Sequence, residues 1–327
     1  MSVVPNDVEL LDALPETREK LVAAIGEVIV GQRTVVELML AALFSDGHCL
    51  FVGVPGLAKT LLVNTVAEAL GVGFGRVQFT PDLMPSDITG TDVLEEDKTT
   101  GQRHLRFVKG PLFTNLLLAD EVNRTPPKTQ AALLQAMQER AVTAAGHTYQ
   151  LERPFLVFAT QNPIEQEGTY PLPEAQQDRF MFSIPVGYPS VAEENEIVRR
   201  TTVGRPPTVA AVLDRERLIA FQDLLRRLPI NGDVIAHCVR IAQATRPGSG
   251  AAATKWIRWG AGPRASQFLA TGARAWAAMH GHETPAVEDV RAVARAVLRH
   301  RIILDFEAEA QGLDADAVVG QLLDEVR

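Results

Sequence analysis

The feature that most constrains the fold is a glycine-containing turn that joins a short apolar run to a helical pattern. The apolar run covers residues 48–52, and residues 53–60 read GVPGLAKT. Residues 59–70 have helical spacing and stop before Gly71. Glycines allow several backbone N–H groups to point at one anion, and the N-terminus of a helix adds positive potential. The sequence therefore predicts an α/β fold whose first strand leads into a phosphate-binding loop.

Two more apolar runs end in polar side chains. Asp120 and Glu121 follow the run at residues 116–119, and Asn162 closes the run that begins at residue 155. Continuous apolar runs of this kind are typical of buried parallel strands. An acidic pair at a strand end suits a metal ligand and a base that polarises water, and an amide can orient that water. An isolated pair is more often a solvated turn, but its position after a phosphate loop favours the catalytic interpretation.

The pattern changes about halfway along the chain. Residues 10–43 predict two helices with a short break near Gly31, ahead of the strands already described. After Gly187 all periodic segments have helical spacing, and no further strand is expected. We therefore predict an α/β core with a parallel sheet in three αβα layers over residues 1–188. A smaller, all-helical domain should follow over residues 189–327.

Charge and composition exclude several other classes of protein. The chain has 327 residues and a net charge of −8, from 32 Lys and Arg against 40 Asp and Glu. An acidic chain is poorly suited to a phosphate backbone, so nucleic acid is not expected as a partner. The two cysteines, Cys49 and Cys238, lack metal-ligand spacing. Because acids occupy the N-terminal segment and no uncharged apolar run reaches about 18 residues, we expect a cytoplasmic protein without membrane insertion.

Beyond these motifs, the chain resembles the MoxR family of AAA+ ATPases over nearly its whole length. Six stretches carry the resemblance, in the family's order. They read GVPGLAKT (53–60), PDLMPSDITG (81–90), GPLFTNLLLADEVNRTPPKTQAALLQAMQE (110–139), FATQNP (158–163), GTYPLPEAQQDRF (168–180) and GPRA (262–265). Ala58, where the general phosphate-loop pattern has glycine, also matches the family. The resemblance implies a P-loop NTPase fold of the AAA+ type with a helical lid, and ATP or ADP with Mg²⁺ as ligands.

The resemblance also implies roles for residues around the nucleotide. Lys59 would bridge the β- and γ-phosphates, and Thr60 and Asp120 would hold Mg²⁺. Glu121 would be the catalytic base, and Asn162 would be the first sensor of the γ-phosphate. The residues implied to surround the nucleotide are Val30, Gly31 and Gln32 at the adenine, and Gly53, Val54, Pro55, Gly56, Leu57, Ala58, Lys59, Thr60 and Leu61 along the phosphates.

Two arginines are implied to act on the γ-phosphate. Arg179, within the sequence QDRF, resembles an arginine finger offered to a neighbouring subunit. Arg264, at the start of a lid helix, resembles the second sensor, and we expect the nucleotide to lie between core and lid where Arg264 reaches over it. The alternative for Arg179 is a surface arginine paired with an acid such as Asp178. Arg124 and Arg140 are further candidates for a subunit interface.

The family resemblance implies a homo-oligomer, in this case a hexamer, that remodels, assembles or matures a client protein or its metal centre. It also implies a partner that carries a von Willebrand factor A domain. Residues 81–93 resemble an insert in the second core helix, and residues 141–153 look like a polar hairpin; both are expected to face the pore or the client. A nucleotide-gated binding module with negligible turnover is the alternative from another class, and a nucleic-acid motor is a second one.

Overall fold

The computed structural model describes residues 6–96, 103–144, 146–164, 168–203 and 208–326, so residues 1–5 of the predicted core lie outside the described part. Up to residue 188 the helices are α1 (Asp7–Val28), α2 (Arg33–Phe44), α3 (Lys59–Ala69), α4 (Pro85–Thr89), α5 (Pro127–Glu139) and α6 (Glu174–Gln177). The strands are β1 (Cys49–Val52), β2 (Phe74–Gln78), β3 (Gly90–Glu96), β4 (Arg103–Lys109), β5 (Leu116–Asp120), β6 (Ala141–Ala144), β7 (His147–Gln150), β8 (Leu156–Gln161) and β9 (Phe182–Pro185).

Five of these strands form the central sheet, in the order β2–β5–β8–β1–β9. Every neighbouring pair in this sheet is parallel. The carboxyl ends of all five strands therefore lie along one edge of the sheet, and their amino ends lie along the opposite edge. This polarity decides which of the predicted functional residues can meet within one chain.

The sheet is covered on both faces because its residues alternate between two hydrophobic cores. On β5, Leu116 and Leu118 belong to the core that contains α1, α2 and α3. Leu117 and Ala119 belong to the core that contains Leu133 and other residues of α5. The predicted αβα arrangement with a parallel sheet is confirmed.

Two antiparallel hairpins leave the core. The predicted insert of residues 81–93 forms α4 and the start of β3, and β3 pairs along its length with β4. The prediction therefore covered only the first part of a longer ribbon that extends to Lys109. The predicted hairpin at residues 141–153 is confirmed, since β6 pairs with β7 in the described residues there.

Beyond residue 188 the chain is mainly helical, as predicted. Its helices are α7 (Val191–Thr202), α8 (Arg215–Arg227), α9 (Gly232–Ala244), α10 (Pro263–Met279), α11 (Val287–Leu298), α12 (Phe306–Ala310) and α13 (Ala315–Glu325). The expectation that no strand occurs here is wrong, because β10 (Ile257–Trp259) pairs antiparallel with β11 (Ile303–Leu304). Strands of two or three residues are too short to produce a recognisable alternation in the sequence.

The helical part packs closely against the core. Its apolar side chains continue the same hydrophobic core that holds α1, α2 and α3. A Cβ atom added at Gly272 of α10 would lie 3.1 Å from the Cζ atom of the Phe182 ring on β9. Helix α10 therefore lies directly over β9, the edge strand that follows Arg179.

Candidate nucleotide site

The turn after β1 has the geometry of an anion-binding loop. Gly56 and Ala58 both have positive φ, at 85° and 54°, and α3 begins directly after Ala58. Ala58 occupies the N-cap position, and no side chain accepts a hydrogen bond from the first turn of the helix there. The N–H groups of that turn and the positive end of the helix thus suit a phosphate.

Lys59 lies across this loop. Its ammonium group donates hydrogen bonds to the carbonyl oxygens of Gly53 and Val54, the latter at 3.1 Å. Burial lowers the pKa of Lys59 from its ordinary value, and the nearby carboxylates of Asp120 and Glu121 act in the opposite direction. An ammonium group between a helix N-terminus and two acids is placed to bind phosphate oxygens.

Asp120, at the carboxyl end of β5, is buried and shared by three side chains. The Thr160 hydroxyl donates to its Oδ1 at 2.7 Å. Arg76 donates to its Oδ2 at 2.8 Å, and the Thr60 hydroxyl lies 3.5 Å from the same oxygen. Hydroxyl and carboxylate oxygens are the ligands that Mg²⁺ prefers, so Thr60 and Asp120 fit this ion.

Glu121 is held by residues from the neighbouring strands. Its backbone lies in the left-handed region at φ 55°, and its N–H donates to the Thr160 hydroxyl at 2.8 Å. Its carboxylate accepts a hydrogen bond from the Gln78 amide at 2.7 Å and pairs with Arg124 at 3.2 Å. The carboxylate is therefore oriented at the strand ends beside the metal-ligand pair.

These residues share one cavity of about 400 Å³, which we call the phosphate pocket. It is lined by Pro55, Gly56, Leu57, Ala58, Lys59, Thr60, Arg76, Gln78, Asp120, Glu121, Thr160 and Asn162. Asn162 is 6% exposed, and its side-chain oxygen accepts a hydrogen bond from the Ile164 N–H at 3.3 Å. The structure thus brings together the predicted phosphate loop, the acidic pair and the amide.

The predicted adenine residues lie beside this pocket. Val30 and Gly31 line a separate cavity of about 540 Å³ together with side chains of α1 and Arg200 of α7. Gln32 is absent from the residues that line either cavity, but its amide donates to the carbonyl oxygen of Leu57, a residue of the phosphate pocket, at 3.5 Å. Leu61, one turn into α3, is 47% exposed and is absent from the residues that line the phosphate pocket.

Arg179 and Arg264 occupy a different region, which we call the arginine pocket. This cavity of about 210 Å³ is lined by Asp46, Gly47, His48, Met137, Gln138, Arg140, Arg179, Arg264 and Phe268. His48 immediately precedes β1, and Arg179 lies just before β9, where the N–H of Met181 donates to the His48 carbonyl at 2.8 Å. The arginine pocket is therefore at the amino ends of the strands.

The expectation that Arg264 reaches over the nucleotide of its own chain does not match this geometry. The phosphate pocket lies at the carboxyl ends of the strands, and no described residue lines both pockets. Arg264 instead donates to Asp178 at 2.7 Å. The sequence could not show this position, because it depends on how α10 folds back onto the core.

Arg124 and Arg140, the two further interface candidates, are separated in the same way. Arg124 lies near the phosphate pocket, because it pairs with Glu121. Arg140 lines the arginine pocket and donates to the buried Asp46 carboxylate at 2.9 Å. Asp46 also accepts from Arg226 of α8 at 2.6 Å, so this acid connects core and lid.

Sequence reasoning missed Arg76, Gln78 and Thr160 as site residues. Arg76 and Gln78 are two positions apart on β2, so both side chains lie on the same side of the strand. Their contacts with Asp120 and Glu121 follow from the pairing of β2 with β5. The alternation of polar residues in this strand was a visible signal, but strand order was needed to interpret it.

Comparison with known proteins agrees with the fold. A family model described as the ATPase family associated with various cellular activities matches residues 48–182, and an AAA lid domain model matches residues 250–322. A crystal structure from Cytophaga hutchinsonii, described as a candidate ATPase, superposes with a TM-score of 0.89 at 39% identity. The match covers 98% of this chain and 97% of that one. The fold and site define a P-loop ATPase of the AAA+ class.

Similarity to individual proteins identifies the family within this class. Chaperone MoxR1 of Mycobacterium tuberculosis is 43% identical over 325 residues, which cover 98% of this chain and 85% of that protein. Protein MoxR of Methylorubrum extorquens is 31% identical, over 92% of this chain and 91% of its own length. The chain belongs to the MoxR family of AAA+ ATPases. Among the described residues, no helix is both long and apolar enough to cross a membrane.

Proposed function

We propose that this chain hydrolyses ATP in a ring of identical subunits and uses the cycle for chaperone-like remodelling of a protein client. The proposed units are a nucleotide-binding core over residues 1–188 and a lid over residues 189–327. The observation that carries the proposal is the convergence of a phosphate loop, a metal-ligand pair and an oriented carboxylate in one pocket. The name of the mycobacterial relative supports the chaperone-like role.

In this proposal, the phosphate loop, the acidic pair and Asn162 act on ATP or on the attacking water. The backbone N–H groups of residues 56–60 and the Lys59 ammonium bind the phosphates, and Thr60 and Asp120 hold Mg²⁺. Bound Mg²⁺ neutralises phosphate charge and fixes the phosphate oxygens. Glu121 accepts a proton from water as the water oxygen bonds to the γ-phosphorus, and the bond to the β,γ-bridging oxygen breaks so that ADP leaves. The Asn162 amide orients that water.

We also propose that Arg179 and Arg264 act on the nucleotide of a neighbouring subunit. The polarity of the sheet supports this: the two pockets are at opposite ends of strands such as the four-residue β1, which spans about 13 Å. A head-to-tail contact between identical subunits would place the arginine pocket of one against the phosphate pocket of the next. Repetition of such a contact closes into a ring, which the family resemblance sets at six subunits.

For the client-binding surface we propose the β3–β4 ribbon. Its two strands expose apolar side chains that a solvated hairpin does not require. The exposed fractions are 43% for Val93, 58% for Leu94, 67% for Leu105 and 42% for Val108. The ribbon follows α4, which packs against α5, so a shift of the helices around the pocket would move it.

The ATPase rate per subunit, measured against protein concentration with mass photometry on the same samples, tests the proposal. We expect the rate to rise as a large ring appears, because a shared site needs two subunits. A flat rate from a monomer would contradict the ring and the trans arginines. Nucleotide binding without turnover by an assembled ring would favour the nucleotide-gated binding module instead.

A further inference from the structure

A buried arginine in the lid holds the backbone next to Arg179. Arg301 follows the end of α11, and its side chain is 1% exposed. Its Nε donates to Asp178 Oδ1 at 2.8 Å, and its Nη2 donates to the carbonyl oxygens of Asp178 at 2.8 Å and Phe180 at 2.6 Å. Its Nη1 donates to the carbonyl of Met181 at 3.2 Å and to that of Val297.

This arrangement uses all five N–H groups of a guanidinium. Four of these five oxygen acceptors lie in residues 178–181, which we call the Arg179 segment. The fifth oxygen, that of Val297, belongs to α11 of the lid, and His300 Nε2 lies 2.7 Å from the same Nη1. Since the donors of a guanidinium are fixed in one plane, the guanidinium fixes the Arg179 segment relative to the end of α11.

Asp178 extends the same connection to Arg264. Its Oδ1 accepts from Arg301, while its Oδ2 accepts from Arg264 at 2.7 Å. Arg264 lies at the start of α10, and Phe268 on the next turn packs its ring 4.9 Å from the Arg301 guanidinium. One carboxylate therefore sets the position of Arg264 relative to the backbone that carries Arg179.

Arg301 is charged as well as buried. Burial lowers the pKa of Arg301 to about 10, while the Asp178 carboxylate acts to raise it. The guanidinium remains protonated at neutral pH. A buried cation is retained only where its donors are satisfied and an anion is close, and both conditions are met here.

From this geometry we infer that Arg301 and Asp178 are positioning residues for the trans-acting pair Arg179 and Arg264, and that they make the pair follow the movement of the lid. The inference rests on the proposed function, because it requires that Arg179 and Arg264 serve a neighbouring site. Neither Arg301 nor Asp178 lines the phosphate pocket. Their loss should therefore affect turnover at the next subunit and leave nucleotide binding in their own subunit intact.

The first test compares Arg301→Lys and Asp178→Asn with the wild type in the full chain. We expect kcat per subunit to fall about ten- to a hundredfold, because small misplacements of a catalytic group cost this much. The Kd for fluorescent ADP should stay within about twofold, and the ring should keep its mass. Hydrogen exchange of a peptide that covers residues 178–181 should be faster in Arg301→Lys.

Arg299→Lys provides the matched control. Arg299 also lies near the end of α11, where its side chain is 16% exposed, but it pairs with Asp316 inside the lid at 2.9 Å. This variant should keep the wild-type kcat and the wild-type exchange of residues 178–181. Asp178→Asn tests the carboxylate independently if Arg301→Lys does not fold, because it leaves Arg301 and its backbone acceptors in place.

Mixing experiments separate a positioning role from a general structural one. A 1:1 mixture of Asp178→Asn with Glu121→Gln should recover up to about a quarter of the wild-type rate, since random assembly pairs an intact base with an intact arginine pocket at one interface in four. An unchanged kcat in both variants would overturn the inference. So would a mixture that recovers nothing while the mixture of Arg179→Ala with Glu121→Gln recovers. If the Arg179→Ala mixture also fails, the trans arginine of the proposed function is itself contradicted.

Discussion

The phosphate pocket and the arginine pocket lie at opposite ends of the same sheet and are lined by different chemical groups. The first consists mainly of backbone N–H groups, hydroxyls and carboxylates on strand ends and a loop. The second is dominated by Arg140, Arg179 and Arg264, which come from core and lid. The phosphate pocket has the groups to bind Mg²⁺ and polarise water, and the arginine pocket has the cations to stabilise a transferring phosphoryl group.

This separation is the basis of the proposal that two subunits together assemble one hydrolytic site. In the phosphate pocket, the Thr60 hydroxyl lies within hydrogen-bond distance of the Asp120 carboxylate. The Thr160 hydroxyl connects Asp120 to Glu121, because it donates to the Asp120 carboxylate and accepts from the Glu121 N–H. Away from that pocket, Asp46 accepts a hydrogen bond from Arg140, and Asp178 accepts one from Arg264. Variants of residues in each pocket test whether the two pockets act in different subunits.

The largest effect is expected for Arg179→Ala. An arginine finger is worth about 10³–10⁵ in rate, because its charge meets the transferring phosphoryl group in a dry site. Phosphate release should fall by about this factor, while ADP binding stays unchanged. Arg199→Ala, which removes an exposed arginine of α7 paired with Glu196, is the control and should keep the wild-type rate. Equal rates for Arg179→Ala and wild type would remove Arg179 from the mechanism.

Glu121→Gln should lower turnover by about 10²–10⁴, the usual contribution of a general base. The amide keeps the size of the side chain but accepts no proton, so ATP binding should persist. Lys59→Ala should instead lose binding, because the phosphates lose their bridging cation. Isothermal titration beside a phosphate-release assay distinguishes the two outcomes. Normal turnover by Glu121→Gln would show that another group acts as base.

Arg264→Ala should have a smaller effect, about a ten- to hundredfold loss of kcat. A single charge-assisted hydrogen bond is worth about 1.5–3 kcal/mol, which corresponds to that range. The control is Arg226→Ala, because Arg226 also joins the lid to a core acid but does not line the arginine pocket. A rise in the ATP Kd of Arg264→Ala monomers, with kcat unchanged, would instead support action within one chain.

The smallest effect concerns stability near the arginine pocket. Burial lowers the pKa of His48 to about 3, and the neutral ring accepts from the Val157 N–H at 2.9 Å. Below the unfolded value of 6.5 the unfolded chain binds a proton that the folded chain does not, so stability falls as pH decreases toward the folded value. Between pH 7.5 and 5.5, His48 should cost about 1.4 kcal/mol of unfolding free energy. His48→Gln should reduce this loss in urea titrations at both pH values; an identical loss would contradict the assignment.

The parts of the site that could be predicted from sequence are those fixed by local chain geometry. Lys59 and Thr60 belong to one turn, and Asp120 and Asn162 follow buried strands whose carboxyl ends meet at one edge of a parallel sheet. Gln78 could not be assigned, because its contact with Glu121 depends on β2 lying beside β5. The strand pair β10–β11 also escaped prediction, because its strands have too few residues to show a period.

The other features that could not be predicted from the sequence depend on long-range contacts. Asp178 and Arg301 are 123 positions apart, and neither the helical period nor the spacing of the motifs relates them. The position of Arg264 depends on how α10 packs over β9 through Gly272. Packing of this kind is a property of the folded surfaces and leaves no periodic signal in the sequence.

If one active site is shared by two subunits, two inactive variants should restore activity to each other when they are mixed. Arg179→Ala keeps an intact phosphate pocket, and Glu121→Gln keeps an intact arginine pocket. Each variant alone should show little turnover, whereas a 1:1 mixture with ring mass verified by photometry should recover up to about a quarter of the wild-type rate. A mixture whose rate is only the average of the two inactive variants would contradict the shared site.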